Sequence, residues 1–258
     1  MKSKLHHILI FLAFTLSGLG QTPYSSWELG IYGGESYYLG DLNQTHFQPL
    51  NLSFGPRLRY NFDQRIGLKG LLTIGEISAD DANSSNSFNR DRNFAFTSQL
   101  IEGALVGEFN FLPYSALDSK SKLATPYLFL GIGFTKHSPK AQLNGILLST
   151  QGLQTEGVNF KKNILSIPIG IGYKMRTNRY SFEFSWGIRK TNSDYLDDVS
   201  TNFTDASNSS GQINIANTTQ YENVAHIKRG DQYNKDWYVF TGLTIFVNLT
   251  TEEVCRKM

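Results

Sequence analysis

The chain has 258 residues and a formal net charge of +2, enough length for one large domain or two small ones and no field that would draw nucleic acid. Its 18 Phe, 13 Tyr and 23 Gly favour a fold of many short strands, and its single cysteine excludes a disulfide framework. No apolar run is long enough for a membrane-spanning helix, which leaves open a membrane barrel, whose signal per segment is far weaker.

The first twenty residues read as a signal peptide. "MKSKLHH" is a short basic region, "ILIFLAFTL" an apolar core too short to span a bilayer, and "SGLG" places small residues before a cut at Gln21. A mature chain from Gln21 would lie outside the inner membrane.

Eight strand-like segments follow. In chain order they are Trp27–Gly40, Asn51–Phe62, Ile66–Ser78, Phe94–Phe111, Pro126–Lys136, Asn163–Met175, Tyr180–Thr191 and Asp236–Thr250. Each alternates an apolar face with a polar or small one. In the sixth, Leu165, Ile167, Ile169, Ile171 and Tyr173 oppose Ser166, Pro168, Gly170, Gly172 and Lys174. In the seventh, Tyr180, Phe182, Phe184, Trp186 and Ile188 oppose Ser181, Glu183, Ser185, Gly187 and Arg189. A soluble sandwich would alternate too. These segments, however, approach the roughly nine to eleven residues that cross a bilayer at a tilt. Trp27, Tyr60, Tyr173, Tyr180, Trp186 and Trp237 sit near segment ends, as an aromatic girdle would. The connections alternate long and short, with the longest running from about Asn192 to Lys235 and short ones at "DQR" and "RTNR". The expected fold is therefore all-β: an eight-stranded up-and-down antiparallel transmembrane barrel over residues 21–250, with residues 251–258 as a periplasmic tail.

Projected together, the inward faces carry Glu28, Glu102, Glu108 and Glu183 with Arg57, Arg59, Lys69, Lys174 and Arg189. Eight strands enclose a lumen that side chains can fill, and buried charges must be paired. The expectation is a plugged, charged interior of ion pairs, with Gly55, Gly131, Gly133, Gly170 and Gly172 allowing close packing. A catalytic role for these carboxylates is the sharper and weaker alternative.

Few motifs suggest chemistry. Asp194, Asp197 and Asp198 in "SDYLDDVS" lack the spacing of a calcium loop and read as a solvated loop or a cap. "RGD" at Arg229–Asp231 is too short to imply adhesion. His46, His137 and His226 lie on different loops and make no zinc site. Neither a nucleophile elbow nor a phosphate loop occurs, so no enzyme and no cofactor are expected.

Five stretches, "WELGIYGGESYYLGDLN", "GPRLRYNF", "TPYLFLGIG", "SDYLDDVS" and "KRGDQYNKDWYVFTGLTI", together resemble the PorG-type outer-membrane subunits of the Bacteroidetes type IX secretion system. The resemblance runs from about Trp27 to Cys255. It implies a non-enzymatic component of that machine, which exports proteins and serves gliding motility in gliding species. Its partners would be periplasmic ring subunits of the PorK and PorN type and outer-membrane lipids, with no nucleic acid and no small-molecule substrate. A small porin or lipid-binding barrel is the alternative.

Cys255 is the only cysteine and lies beyond the last segment. Read alone it is an intermolecular partner, a free reactive thiol or an exposed residue of no consequence. The resemblance, by supplying a periplasmic ring, favours a disulfide or close contact to a ring subunit.

Overall fold

The computed structural model describes residues 25–115, 123–143, 146–150, 156, 160–177, 179–203 and 228–250. The signal peptide, the tail and Cys255 lie outside these residues. The strands are β1 (Ser26–Leu39), β2 (Asn51–Asn61), β3 (Ile66–Asp80), β4 (Ala95–Asn110), β5 (Ala124–Leu143), β6 (Ile146–Ser149), β7 (Asn163–Arg176), β8 (Tyr180–Thr191) and β9 (Trp237–Asn248). One helical turn (Asp81–Asn83) and one short helix, α1 (Ser87–Arg92), lie between β3 and β4. No helix among the described residues is long and apolar enough to cross a membrane.

All pairings between neighbouring strands are antiparallel. The wall runs β4-β3-β2-β1-β9-β8-β7-β5, and the β4–β5 pairing closes it into a barrel of eight strands. Through the apolar belt closure leaves no strand with an unpaired side. The ninth strand, β6, pairs only with the far end of β5, outside the ring. The short connections Phe62–Arg65 and 177–179 lie at the end where Leu249 donates its N–H to the Trp27 carbonyl, so the described chain enters and leaves the barrel together.

Alternation puts the apolar face outward. Leu52, Phe54 and Leu58 on β2, and Leu165, Ile167, Ile169 and Ile171 on β7, are exposed, while Ser53, Arg57, Arg59, Ser166 and Lys174 between them are buried. A soluble core is inverted here: the grease is outside. An exposed apolar surface of this extent requires a partner, and its geometry identifies a bilayer. The outward positions turn polar along one line of register: Glu35 opposite Thr241, Glu76 opposite Gln99, and Lys136 opposite Asn163. Below that line β3 presents apolar residues or glycine outward from Ile66 to Ile74. Such a run is about the nine to eleven residues needed to cross at a tilt. At the lower rim Trp27 packs on Tyr60, with ring centroids 4.7 Å apart, and Tyr173 and Tyr180 are exposed.

Two readings from the sequence change. Trp186 is not at a strand end but midway along β8, opposite Ile171 and Thr241, where its indole N–H donates to the Tyr37 hydroxyl at 3.0 Å. It stands at the polar line, so it does mark a rim; β8 simply continues beyond that rim. Likewise β5 does not stop at Lys136 but continues to Leu143 and turns back as β6. Both strands protrude past the apolar belt.

Candidate functional site

Arg59 is the centre of the lumen. It points inward from β2, and its guanidinium is fully buried. Its Nε donates to Glu108 Oε2 at 2.9 Å, Nη1 to Glu28 Oε2 at 3.2 Å, and Nη2 to Glu183 Oε2. Lys69 bridges Glu108 and Glu183 at 2.6 and 2.7 Å, and Lys174 reaches Glu108 Oε2 at 2.6 Å. Three cations thus meet three carboxylates, each drawn from a different wall strand: β1, β2, β3, β4, β7 and β8. Ser181 and Asn61 donate to Glu28, completing its shell. Buried charges are tolerated only with this density of opposite charge and hydrogen bonds.

Higher in the lumen, Arg189 Nε lies 3.4 Å from Glu102 Oε2, and the Tyr238 hydroxyl donates to the same oxygen at 2.6 Å. Arg57 departs from the expectation of an ion pair. Among the described residues it has no carboxylate partner; it donates to the Leu72 and Pro56 carbonyls and lies over the Tyr32 ring at 4.3 Å. The glycines leave room for the rings that fill the lumen: a Cβ on Gly170 or Gly187 would collide with Phe129, and one on Gly172 with Tyr127.

Above the membrane line the lumen is closed by a second layer. Ile77, Phe94, Phe96, Leu100, Tyr238 and Phe240 are buried with Leu42, Leu196 and Val199 from the connections. The aspartates of "SDYLDDVS" are in this cap, all buried, rather than solvated. The Tyr38 hydroxyl lies 2.5 Å from Asp197 Oδ2 and 2.7 Å from Asp236 Oδ1, and it accepts from the Asp41 N–H at 2.9 Å. A hydroxyl has one proton, so it can donate to only one of these carboxyls. The other must be a neutral acid donating to the tyrosine oxygen. Burial pushes both Asp197 and Asp236 well above the usual carboxylate range. Burial also raises Asp194 to about 6, against the opposing hydrogen bond from Ser200.

The "RGD" arginine is the cap's other anchor. Arg229 is fully buried, its Nη1 donating to Glu156 Oε1 at 2.9 Å and the Asp198 carbonyl at 2.6 Å, with the guanidinium 4.7 Å from the Phe94 ring centroid. Glu156 in turn accepts from the Ser200 and Thr201 N–H groups at 3.0 and 2.7 Å. Arg92 forms a fork onto Asp81 at 2.6 and 2.7 Å and donates to the Arg229 carbonyl at 2.7 Å. An arginine so placed cannot serve an adhesion receptor. Replacing Arg229 with methionine should open the cap and spare the barrel. Proteolysis of 192–203 should then accelerate by about tenfold or more, from the loss of at least one charged hydrogen bond, while heat-dependent electrophoretic mobility stays unchanged.

Sequence reasoning missed this layer. Arg92, Glu156 and Arg229 lie in polar connections without periodicity, and nothing in their spacing marks them as buried. Among the described residues no group of three or more His, Cys, Asp or Glu is placed to hold a metal ion. The three segments around Tyr38, Asp197 and Asp236 lie far apart in sequence yet meet in one cap.

A family model described as a domain of unknown function, DUF6089, matches residues 4–255. The chain belongs to that family. Among curated proteins none matches it. Three solved structures of low identity resemble this DUF6089 chain. Ail, the attachment invasion locus protein of Yersinia pestis, in complex with the heparin analogue sucrose octasulfate, is 12% identical over 87% of this chain and 98% of its own, with a TM-score of 0.42. Neisserial surface protein A is 10% identical over 86% and 97%, with a TM-score of 0.39. The outer membrane protein OprG from Pseudomonas aeruginosa is 10% identical over 86% and 97%, with a TM-score of 0.40. At these scores they carry no inference about what the DUF6089 chain does.

Proposed function

We propose that this DUF6089 protein is a non-enzymatic outer-membrane component of the type IX secretion system, anchoring or contacting its periplasmic ring. The observation that carries most weight is the convergence in one cap of the segments that resemble PorG-type subunits: Tyr38 of "YYLGDLN", Asp197 of "SDYLDDVS" and Asp236 of "KRGDQYNKDWYVFTG" share one hydrogen-bonded cluster. Beneath it the ion cluster fills the lumen, which suits a membrane anchor better than a porin. Long loops on such barrels face the cell exterior and short turns the periplasm. The cap then faces outward, and the end where Trp27 and Leu249 meet faces the ring.

In this reading Cys255 contacts a ring subunit of the PorK or PorN type from the periplasmic side. Affinity purification of the tagged full chain from native outer membrane in mild detergent tests the assignment. Ring subunits should copurify, and their absence would defeat it. Non-reducing electrophoresis of wild type beside Cys255→Ser tests the contact, since a disulfide shows as a reductant-sensitive band only in wild type.

A further inference from the structure

A cleft of about 720 Å³ opens at the capped end, between the connection after β1 and the segment holding α1. Its walls include Gln44, Gln48, Asn83, Ser85, Asn86 and Thr97, and its floor is the last turn of strand β3, Ser78 to Asp80. It shares Leu42, Ala79 and Phe96 with the buried cap layer but lies outside the ion cluster of the lumen.

The floor is a free strand edge. The β2–β3 ladder ends at the pair Ser53 and Gly75, whereas the β3–β4 ladder continues to Asp80 and Ala95. One residue further, Asp81 donates its N–H to the Phe94 carbonyl at 2.9 Å. In an antiparallel ladder, residues bonded to one neighbour alternate with residues whose N–H and C=O point to the other side. Ile77 and Ala79 therefore share the direction of Asp81 towards β4, and Glu76, Ser78 and Asp80 point the opposite way. Ser36 Oγ satisfies the Glu76 carbonyl at 2.6 Å. Beyond it β2 reaches Ser78 only through the Asn51 side chain, whose Nδ2 donates to Ser78 Oγ at 3.1 Å, and no strand pairs with the Ser78 or Asp80 backbone. The chain from Gly40 to Leu50 is instead folded about Asn43, whose two amide protons are shared among the Tyr38, Thr45 and Gln48 carbonyls. That loop walls the position where β2 would have continued.

The lining restricts the occupant. Asp80 is the only charged residue in it, and its Oδ1 is taken by the Ala82 N–H at 2.9 Å, which disfavours phosphate and other strong anions. Phe96 is the only lining aromatic and is buried, so no ring platform is offered to a sugar. The side chains of Gln44, Gln48, Asn83, Ser85 and Thr97 make no hydrogen bond among the described residues, and amides and hydroxyls match both donors and acceptors of a peptide. We propose that the cleft binds an extended, uncharged polar polypeptide segment, which adds as a short strand to the β3 edge at Ser78 and Asp80. Main-chain bonds would supply affinity and the neutral side chains selectivity. This stands independently of the secretion-system assignment.

A display library of random heptapeptides, panned against the full mature chain in lipid nanodiscs, is the probe. Enriched peptides should be rich in Ser, Thr, Asn and Gln. N-methylating alternate residues in one register should weaken binding about tenfold, the worth of one hydrogen bond or two, while the other register is spared. Asn83→Trp, at an exposed position, should fill the cleft and abolish binding with the barrel intact. No enrichment over empty nanodiscs would overturn the proposal. So would peptides indifferent to N-methylation or to Asn83→Trp, or saturable binding of neutral oligosaccharides at this cleft in place of peptide.

Discussion

Replacing Arg59 with methionine should destabilise the barrel by about 3–5 kcal/mol, the range seen when one partner is removed from a buried ion pair. Arg59 alone touches Glu28, Glu108 and Glu183. Lys69 and Lys174 would still serve Glu108 and Glu183, but among the described residues Glu28 would keep only the Ser181 and Asn61 bonds. A carboxylate stranded in this way must take up a proton or admit water, and either loosens the wall. Unfolding in phospholipid vesicles, followed by tryptophan fluorescence against urea, measures the loss. Arg59→Met with Glu28→Gln should recover part of it, because the stranded charge is gone. Arg59→Lys should fall between, since an ammonium cannot reproduce the three-way fork. A wild-type midpoint for Arg59→Met would mean that the cluster does not hold the strands together.

The second large effect is on the cap. Asp197 and Asp236 have folded pKa values raised well above the ordinary 3.8, first by burial; for Asp197 the neighbouring Asp236 and Asp41 add to it. The facing groups are Tyr38 of β1, Asp41 of the first connection and Asp194 of the same loop, and Arg92 interacts electrostatically with Asp197. The folded cap therefore binds more protons than the unfolded one, and its stability must fall as pH rises. The contribution is complete below the ordinary aspartate value and is lost as pH climbs through the raised one. Asp194 adds to this between the ordinary value and about 6. Hydrogen exchange of the 192–203 amides, corrected for intrinsic rate, should accelerate from acid towards alkaline pH, by up to about tenfold per unit for each excess proton. Asp197→Asn should flatten that dependence and slow exchange at high pH, because a neutral amide keeps the hydrogen-bonding shape without the charge. A profile unchanged by the substitution would place the protons elsewhere.

The wall was legible because two-residue alternation survives in every crossing strand. Tyr180–Thr191 was read with the bounds β8 has, since its faces differ so sharply: Phe182 and Phe184 outward, Glu183 and Arg189 inward. Inward charge could be read for the same reason, although which carboxylate meets which cation depends on register and tilt, and Arg57 found carbonyls and a ring instead of a carboxylate. The protruding part was harder. Beyond Lys136 the sequence "HSPKAQL" offers Pro139 and polar residues on both faces, because outside the bilayer nothing demands an apolar exterior. The Asn-Gly dipeptide at 144–145 was the missed sign of a hairpin between β5 and β6. The cap was least legible. Its members are ordinary loop residues made interior by contacts between distant segments, and Asp41, Asp81, Asp197 and Asp236 look like solvated acids until Tyr38, Arg92 and Arg229 are placed among them.

The proposed anchoring role requires a filled lumen that is not a conduit. Single-channel recording of the purified full chain in a planar bilayer tests it most directly. A lumen occupied by Arg59, Lys69, Lys174 and their carboxylates beneath a closed cap predicts a current indistinguishable from protein-free bilayer across the voltage range. Stable, reproducible conductance steps of porin size from homogeneous protein would contradict it.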